Sequence, residues 1–404
     1  MKVFLINSDS GYGSTGRITN DLSRAIIENG SEVRIGYGRD CTEDLPYNIK
    51  IGSKLHVYLH VLKTRLFDLQ GFGSKKVTKS FLRKVKKFQP DIIHLHNIHG
   101  SYINIELLFE FIKENKIPTI WTLHDCWSFT GHCSYYSNVN CYKWETMCYD
   151  CVQKKCYPAS ILVDNSTNNF KHKKEIFNGV QNLTITTVSQ WLKDEVSRSF
   201  LSNYNIRVIP NGIDLSQFKP IKSNFRKKHQ LSDKIILLGV ASIWDDRKGL
   251  GLFNELAECL EEKYQIVLVG ITEKQKRLVS SKIIAIPRTN NVKGLVKIYT
   301  ASDMLLNLSK EETFGLVTLE ALACGTMVIT NRYTANPELV DDTCGLILNE
   351  LNIWELLEGI QGLVKDPKDK KACRNKASLY DKKEMYDKYL NLYKEVLHED
   401  IVVN

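Results

Sequence analysis

Lys310-Glu311-Glu312-Thr313-Phe314-Gly315-Leu316-Val317-Thr318-Leu319-Glu320-Ala321-Leu322-Ala323-Cys324-Gly325 is the stretch whose reading decides this chain. An apolar run, Met304 to Leu308, predicts a strand ahead of it, and a helix is expected to open at Phe314-Gly315. A helix N-terminus presents unpaired backbone N–H groups and the positive end of the helix dipole, which suits a phosphate. Glu312 falls in the loop before the helix, and Glu320 is carried about one and a half turns along it. Carboxylates accept hydrogen bonds from paired hydroxyls. The combination fits a diphosphate lying between two polyols, as in a nucleotide-sugar. Acids near a helix start also serve as caps and dipole partners, so the pair needs support from elsewhere.

Working outward, short β-branched runs alternate with helical patterns along the whole chain, which predicts parallel α/β architecture. In the first half, strands are expected at Val3 to Asn7, Glu32 to Tyr37, Ile92 to Leu95, Thr119 to Leu123, Thr184 to Val188 and Arg207 to Ile209. The alternation restarts at Ile235 to Val240. Between the halves stands Pro210-Asn211-Gly212-Ile213-Asp214, a plausible hinge. The expected division is 1–212, 213–385 and a C-terminal helix over 386–404 that packs back on the first domain. Two Rossmann-like domains would face each other across a cleft, with ligands at the carboxyl ends of the strands.

The composition is ordinary for a globular protein: 404 residues, 43% hydrophobic and 25% charged. No stretch approaches the roughly 20 apolar residues of a membrane span. The N-terminus enters a strand directly, so a cytoplasmic location is expected. A net charge of +9 calls for an anionic partner. Seven basic residues and no acid lie between Lys75 and Lys87, with Phe81, Leu82, Val85 and Phe88 on an apolar face. Such a helix either packs on the sheet or rests on anionic lipid, or does both, which would place the protein peripherally on the inner membrane face.

Two further motifs bear on the ligand. Gly11-Tyr12-Gly13-Ser14-Thr15-Gly16-Arg17 follows the first strand and opens the first helix, where glycines let backbone approach a ligand. It lacks the Gly-Lys-Ser/Thr of a Walker loop. Arg247-Lys248-Gly249-Leu250 follows the strand ending at Val240, and two cations ahead of a helix can neutralise a diphosphate. Alone it reads more readily as a solvated charge pair, and the Glu312 loop at the same sheet edge reverses that.

Together, Arg247-Lys248-Gly249-Leu250, Glu312 and Glu320 with Phe314-Gly315 between, and Asn211-Gly212-Ile213-Asp214 resemble the retaining family-4 glycosyltransferases of the GT-B fold. The resemblance covers most of the chain and is nearest to bacterial capsule, O-antigen and exopolysaccharide enzymes. It implies transfer of a sugar from a UDP- or GDP-sugar, with retention and without a catalytic metal. It also implies roles for individual residues. Arg247 and Lys248 would hold the donor diphosphate, Glu312 the hydroxyls of the transferred sugar, and Phe314, Gly315 and Leu316 would assist through backbone N–H groups. Glu320 would hold the ribose, His124 would face the reacting sugar, and Gly13 and Gly16 would approach the phosphates or the acceptor. The implied acceptor is a saccharide, carried on a polyprenyl pyrophosphate.

Six of the eleven cysteines fall between Cys126 and Cys156. The series Cys133, Cys141, Cys148 and Cys151 ends in a Cys-x2-Cys pair, the spacing that grips a structural zinc. Free thiols and disulfides stand beside that reading. A long loop without clear secondary structure needs something to order it. Within it Trp127, Tyr135, Tyr136 and Trp144 can stack on sugars or build core. His94, His96 and His99 near a strand end are expected to pack, with acceptor contacts from His96 or His99. Two other functions remain in view: a nucleotide-sugar epimerase or hydrolase on the same scaffold, and a zinc-ribbon nucleic-acid-binding protein. The leading reading has no nucleic-acid partner.

Overall fold

The computed structural model describes residues 1–403, with side chains to residue 398. The chain divides into two compact units, one of residues 1–209 with 386–404 and one of residues 210–385. In the first unit the elements run β1 (Lys2–Asn7), α1 (Gly13–Glu28), β2 (Glu32–Tyr37), β3 (Asn48–Lys50), α2 (Lys54–Phe67), α3 (Lys75–Phe88) and β4 (Ile92–Leu95). They continue with α4 (Ile105–Asn115), β5 (Thr119–Leu123), α5 (Ser166–Phe177), β6 (Leu183–Thr187), α6 (Gln190–Ser197) and β7 (Asn205–Val208).

The second unit holds α7 (Phe225–Lys228), β8 (Ile235–Val240), α8 (Leu250–Cys259), β9 (Tyr264–Val269), β10 (Ile284–Ile286) and α9 (Val292–Ala301). After these come β11 (Met304–Leu306), α10 (Leu316–Ala323), β12 (Met327–Asn331), β13 (Gly345–Leu348), α11 (Ile353–Lys365) and α12 (Lys370–Ser378). Helix α13 (Lys382–Val403) starts in the second unit and belongs to the first from Tyr386 onward.

Among the described residues the strands form two all-parallel sheets, ordered β3-β2-β1-β4-β5-β6-β7 and β10-β9-β8-β11-β12-β13. Their central strands are buried on both faces and largely apolar, as expected where helices cover both sides; β5 (Thr-Ile-Trp-Thr-Leu) and β12 (Met-Val-Ile-Thr-Asn) are buried throughout. Each sheet reverses its strand order once, between β1 and β4 and between β8 and β11. At such a reversal the loops after the two strands lead away from each other and leave a crevice at their carboxyl ends. That topology sets the candidate residues where they are. The glycine loop follows β1, His96 follows β4, the Arg247-Lys248 pair follows β8 and Glu312 follows β11.

The C-terminal helix is tied into the first unit by polar contacts under an apolar face. His94 shares hydrogen bonds with Tyr393 Oη and Thr122 Oγ1, both at 2.7 Å, and Thr122 Oγ1 lies 3.0 Å from Tyr389 Oη. His94 is therefore a packing residue, pushed down to about 3 by burial.

The cysteine-rich segment departs from expectation. Among the described residues no group of three or more His, Cys, Asp or Glu side chains is arranged to hold a metal ion, so the zinc expected on Cys133, Cys141, Cys148 and Cys151 is not supported. All eleven cysteines are free thiols. Cys133 is hydrogen-bonded to Cys151, and Gly131 N donates to Cys148 Sγ at 3.2 Å. Order comes from an aromatic core and a buried lysine, Lys173, whose pKa burial lowers to about 7. Trp144 lies 4.9 Å from Phe129 and 5.0 Å from Tyr136 between ring centroids. Lys173 Nζ donates to Trp127 O (2.7 Å) and Thr130 O (3.1 Å) beneath the Trp127 ring. His132 and Asp68 form a buried pair at 2.6 Å. Trp127, Tyr136 and Trp144 are thus core residues.

Candidate functional site

In the second unit, Asp245 caps a short 3-10 turn, Asp246–Lys248, by accepting from Lys248 N at 3.0 Å. Gly249 then adopts φ +75°, where an added Cβ would lie 2.8 Å from Leu308 O. A glycine there lets the β8 loop press against the end of β11. The result brings the two motifs together: Lys248 Nζ pairs with Glu312 Oε1, both side chains mostly buried. Arg247 Nη1 donates to Glu311 O at 3.4 Å, and Lys310 N donates to Arg247 O at 2.8 Å. Backbone and side chains therefore clamp the cationic loop to the acidic one.

Helix α10 opens after Gly315, whose φ of +95° suits its place as N-cap. The helix N-terminus thus stands on the same loop as Glu312, with Phe314 buried against Tyr380. Asn307 Nδ2 donates to Thr318 Oγ1 (3.1 Å) and Asn336 Oδ1 (3.2 Å), fixing the strand end to the helix. One turn beyond, Glu320 Oε2 accepts from Tyr299 Oη at 2.8 Å. The sequence carried no signal for Tyr299, because its part depends on α9 lying beside α10.

In the first unit, Gly13 begins α1 and Gly16 lies in its first turn, with Gly11 N bonded to Gly16 O at 3.0 Å. His124 follows β5, and its Nε2 lies 3.1 Å from His96 Nδ1. Burial pushes His124 down to about 4 despite the neighbouring Asp125, and also lowers His96. Both imidazoles are thus neutral near neutral pH and offer hydrogen bonds rather than charge. His99 Nε2 lies 2.9 Å from Asp125 Oδ2, and Nδ1 3.1 Å from Tyr157 Oη. His96, His99, His124 and Asp125 line a small pocket at the ends of β4 and β5. Asp125 was passed over in the sequence, although its place next to His124 was a usable signal.

A polyol-accepting carboxylate beside an ammonium group, at the mouth of a helix, is the chemistry of sugar-diphosphate binding. The comparisons with known proteins bear on the family. Residues 15–217 match the model described as Glycosyltransferase Family 4, and residues 221–379 match Glycosyl transferases group 1.

The chain belongs to glycosyltransferase family 4.

This family-4 chain is 23% identical to the colanic acid biosynthesis glycosyl transferase WcaC of Escherichia coli (strain K12), over 98% of this chain and 100% of the relative. Among solved structures, sucrose-phosphate synthase from Thermosynechococcus elongatus superposes with a TM-score of 0.71 at 18% identity, covering 98% and 99% of the two chains. Anabaena HepE, in complex with UDP-glucose, gives 0.67 at 13% identity over 98% and 100%. The two parallel sheets are those of the GT-B fold. The enzyme is a retaining-family glycosyltransferase with a nucleotide-sugar donor. Epimerase, hydrolase and nucleic-acid-binding readings fall with that membership. No helix among the described residues is long and apolar enough to cross a membrane.

Proposed function

We propose that this enzyme transfers a hexose from a UDP- or GDP-sugar to a saccharide carried on polyprenyl pyrophosphate, in surface polysaccharide synthesis. The observation that carries the proposal is the Lys248–Glu312 pair at the mouth of α10. In the resting protein these two groups neutralise each other. A donor supplies partners to both: its diphosphate takes the ammonium group and its sugar hydroxyls take the carboxylate.

In this reading Arg247 and Lys248 bear the negative charge that grows on the leaving diphosphate, the largest kind of catalytic contribution. Backbone N–H groups of Phe314, Gly315 and Leu316 add to that field, and Glu320, held by Tyr299, binds the ribose. Neutral His124, supported by His96, donates a hydrogen bond to the reacting sugar, and the loop of Gly13 and Gly16 approaches the phosphates or acceptor. No metal is needed to neutralise the leaving group. The chemistry takes place at the cytoplasmic membrane face, where helix α3, with its six exposed lysines and one exposed arginine, lies near anionic headgroups.

The test is a panel of UDP-, GDP- and dTDP-sugars with a lipid-pyrophosphate saccharide, product anomers being read by NMR. One donor should give an α- or β-product of the same configuration as the donor. Lys248→Ala should lower kcat by roughly 100-fold or more with unchanged thermal unfolding. Inverted product, or full turnover in that variant, overturns the proposal.

A further inference from the structure

Helix α2 is built inside out. A surface helix normally turns its apolar stripe to the core and its polar face to water. Here the fully buried residues are His60 and Thr64, with Val57 and Val61 half buried beside them on the same face. His60 accepts from Gly73 N through Nε2 (3.0 Å) and shares a hydrogen bond with Ser74 Oγ through Nδ1 (2.9 Å). Thr64 Oγ1 donates to His60 O at 3.1 Å and lies 3.2 Å from Ser101 Oγ. Facing outward are Leu55, Tyr58, Leu59 and Leu62, spaced i, i+3, i+4, i+7, with Leu55 64% and Tyr58 66% exposed.

That stripe does not stand alone. Ile161 N donates to Arg65 O at 2.7 Å and Val163 N to Leu66 O at 3.3 Å, so the 161–163 segment runs along the C-terminal turn of α2. Ile161 and Leu162 are each 63% exposed, and Phe67 is half exposed. Single exposed leucines are normal, whereas a contiguous run of this kind marks a contact surface.

The surrounding charge selects the partner. Residues 45–90 contain eleven Lys and Arg and one acid, Asp68. Asp68 is buried against His132, so no carboxylate from this segment reaches the surface. Two carboxylates from elsewhere lie near the ridge and are engaged: Asp164, next to Val163, accepts from Cys151 N and Ser166 N, and Glu106 pairs with Lys75. Helix α3 begins at the residue after Ser74, the partner of His60, and carries six exposed lysines and Arg83. An apolar ridge with aromatic Tyr58 and Phe67, rimmed by cations, matches the two layers of an anionic bilayer: acyl chains for the ridge and headgroups for the rim.

We propose that α2 and the 161–163 segment form a membrane-inserting ridge, seated in an anionic lipid surface and rimmed by the basic residues of α2 and α3. This deepens the reading of a lipid-linked acceptor and names the surface that meets the lipid. Its physical claim is distinct from charge attraction alone. Insertion of leucine side chains persists at high salt, while headgroup attraction is screened away.

The experiment is co-sedimentation of the full chain with phosphatidylglycerol–phosphatidylcholine vesicles and with phosphatidylcholine vesicles, at low and high salt. Wild type should bind the anionic vesicles, and a residual part should survive high salt. The double variant Leu59→Glu, Leu162→Glu should lose roughly ten-fold or more in partitioning and all of the salt-resistant part. Its donor hydrolysis and thermal unfolding should match wild type, since neither residue touches the donor-binding motifs. Lys84→Glu, Lys87→Glu should weaken only the salt-sensitive part. Equal partitioning of wild type and the leucine variant overturns the ridge. So does a wild-type dimer that the leucine variant splits into monomers, because the face would then belong to a second copy. Failure of vesicle binding with intact glycosyl transfer would reject the ridge and leave the enzymatic proposal standing; the reverse pattern would do the opposite.

Discussion

Tyr299 Oη donates a hydrogen bond of 2.8 Å to Glu320 Oε2. The phenol is fully buried, and burial together with the carboxylate pushes its ionisation well above the usual range, so it remains a donor at any working pH. One carboxylate oxygen is thereby fixed in place, which leaves Glu320 oriented before any ligand arrives.

From this we expect Tyr299→Phe to weaken donor binding without touching the chemical step. A hydrogen bond to a charged group contributes about 1.5–3 kcal/mol, so KM for the donor should rise roughly 10-fold with kcat nearly unchanged. Initial-rate kinetics across donor concentration measure both. A drop in kcat at constant KM would mean that Glu320 acts elsewhere.

Gly249 gives a second prediction. Its left-handed backbone and the closeness of Leu308 O leave no room for a side chain. Gly249→Ala should cost about 1–3 kcal/mol of stability and push the Arg247-Lys248 loop away from Glu312. Urea unfolding and donor affinity should therefore fall together. A variant as stable as wild type would show that the loop yields easily.

Acid sensitivity follows from buried neutral histidines. Burial lowers His60 from its ordinary 6.5 to about 4 and His94 to about 3. The unfolded chain takes up these protons near 6.5, whereas the folded chain refuses them until far lower pH. The unfolded state thus binds more protons across that window, and stability must fall as pH drops from 6.5 toward 4. Each group contributes roughly 1.4 kcal/mol per pH unit. Below this window Asp341, held down to about 2 by Thr343 and Lys376, adds a further loss as it protonates. Urea denaturation at about pH 7 and about pH 5 reads the slope. Equal stability at the two values would contradict buried, neutral imidazoles.

Much of the site was legible because its residues are close in sequence. Glu312, Gly315 and Glu320 share one loop and helix, and Arg247, Lys248 and Gly249 share another, so helical periodicity and glycine placement suffice to locate them. The cysteine segment, whose zinc reading is not supported, shows the limit of the same reasoning. Metal-like spacing along the chain is visible in one dimension, but a buried lysine reaching Trp127 O and Thr130 O from a helix some forty residues away is not. Helix α2 was invisible to pattern reasoning, since its apolar stripe reads identically whether it faces core or solvent.

What the amino-acid order determined by itself is the alternation of strand and helix, two parallel sheets, and the loops that carry the proposed phosphate- and sugar-binding groups. Those features depend on local propensity, on apolar periodicity and on the short reach of a loop after its strand. Only tertiary structure decided that Lys248 meets Glu312, that Tyr299 holds Glu320, and that α2 turns its leucines outward. Each of those relations joins residues from separate elements, and side-chain distance across a packed fold is not a function of separation along the chain.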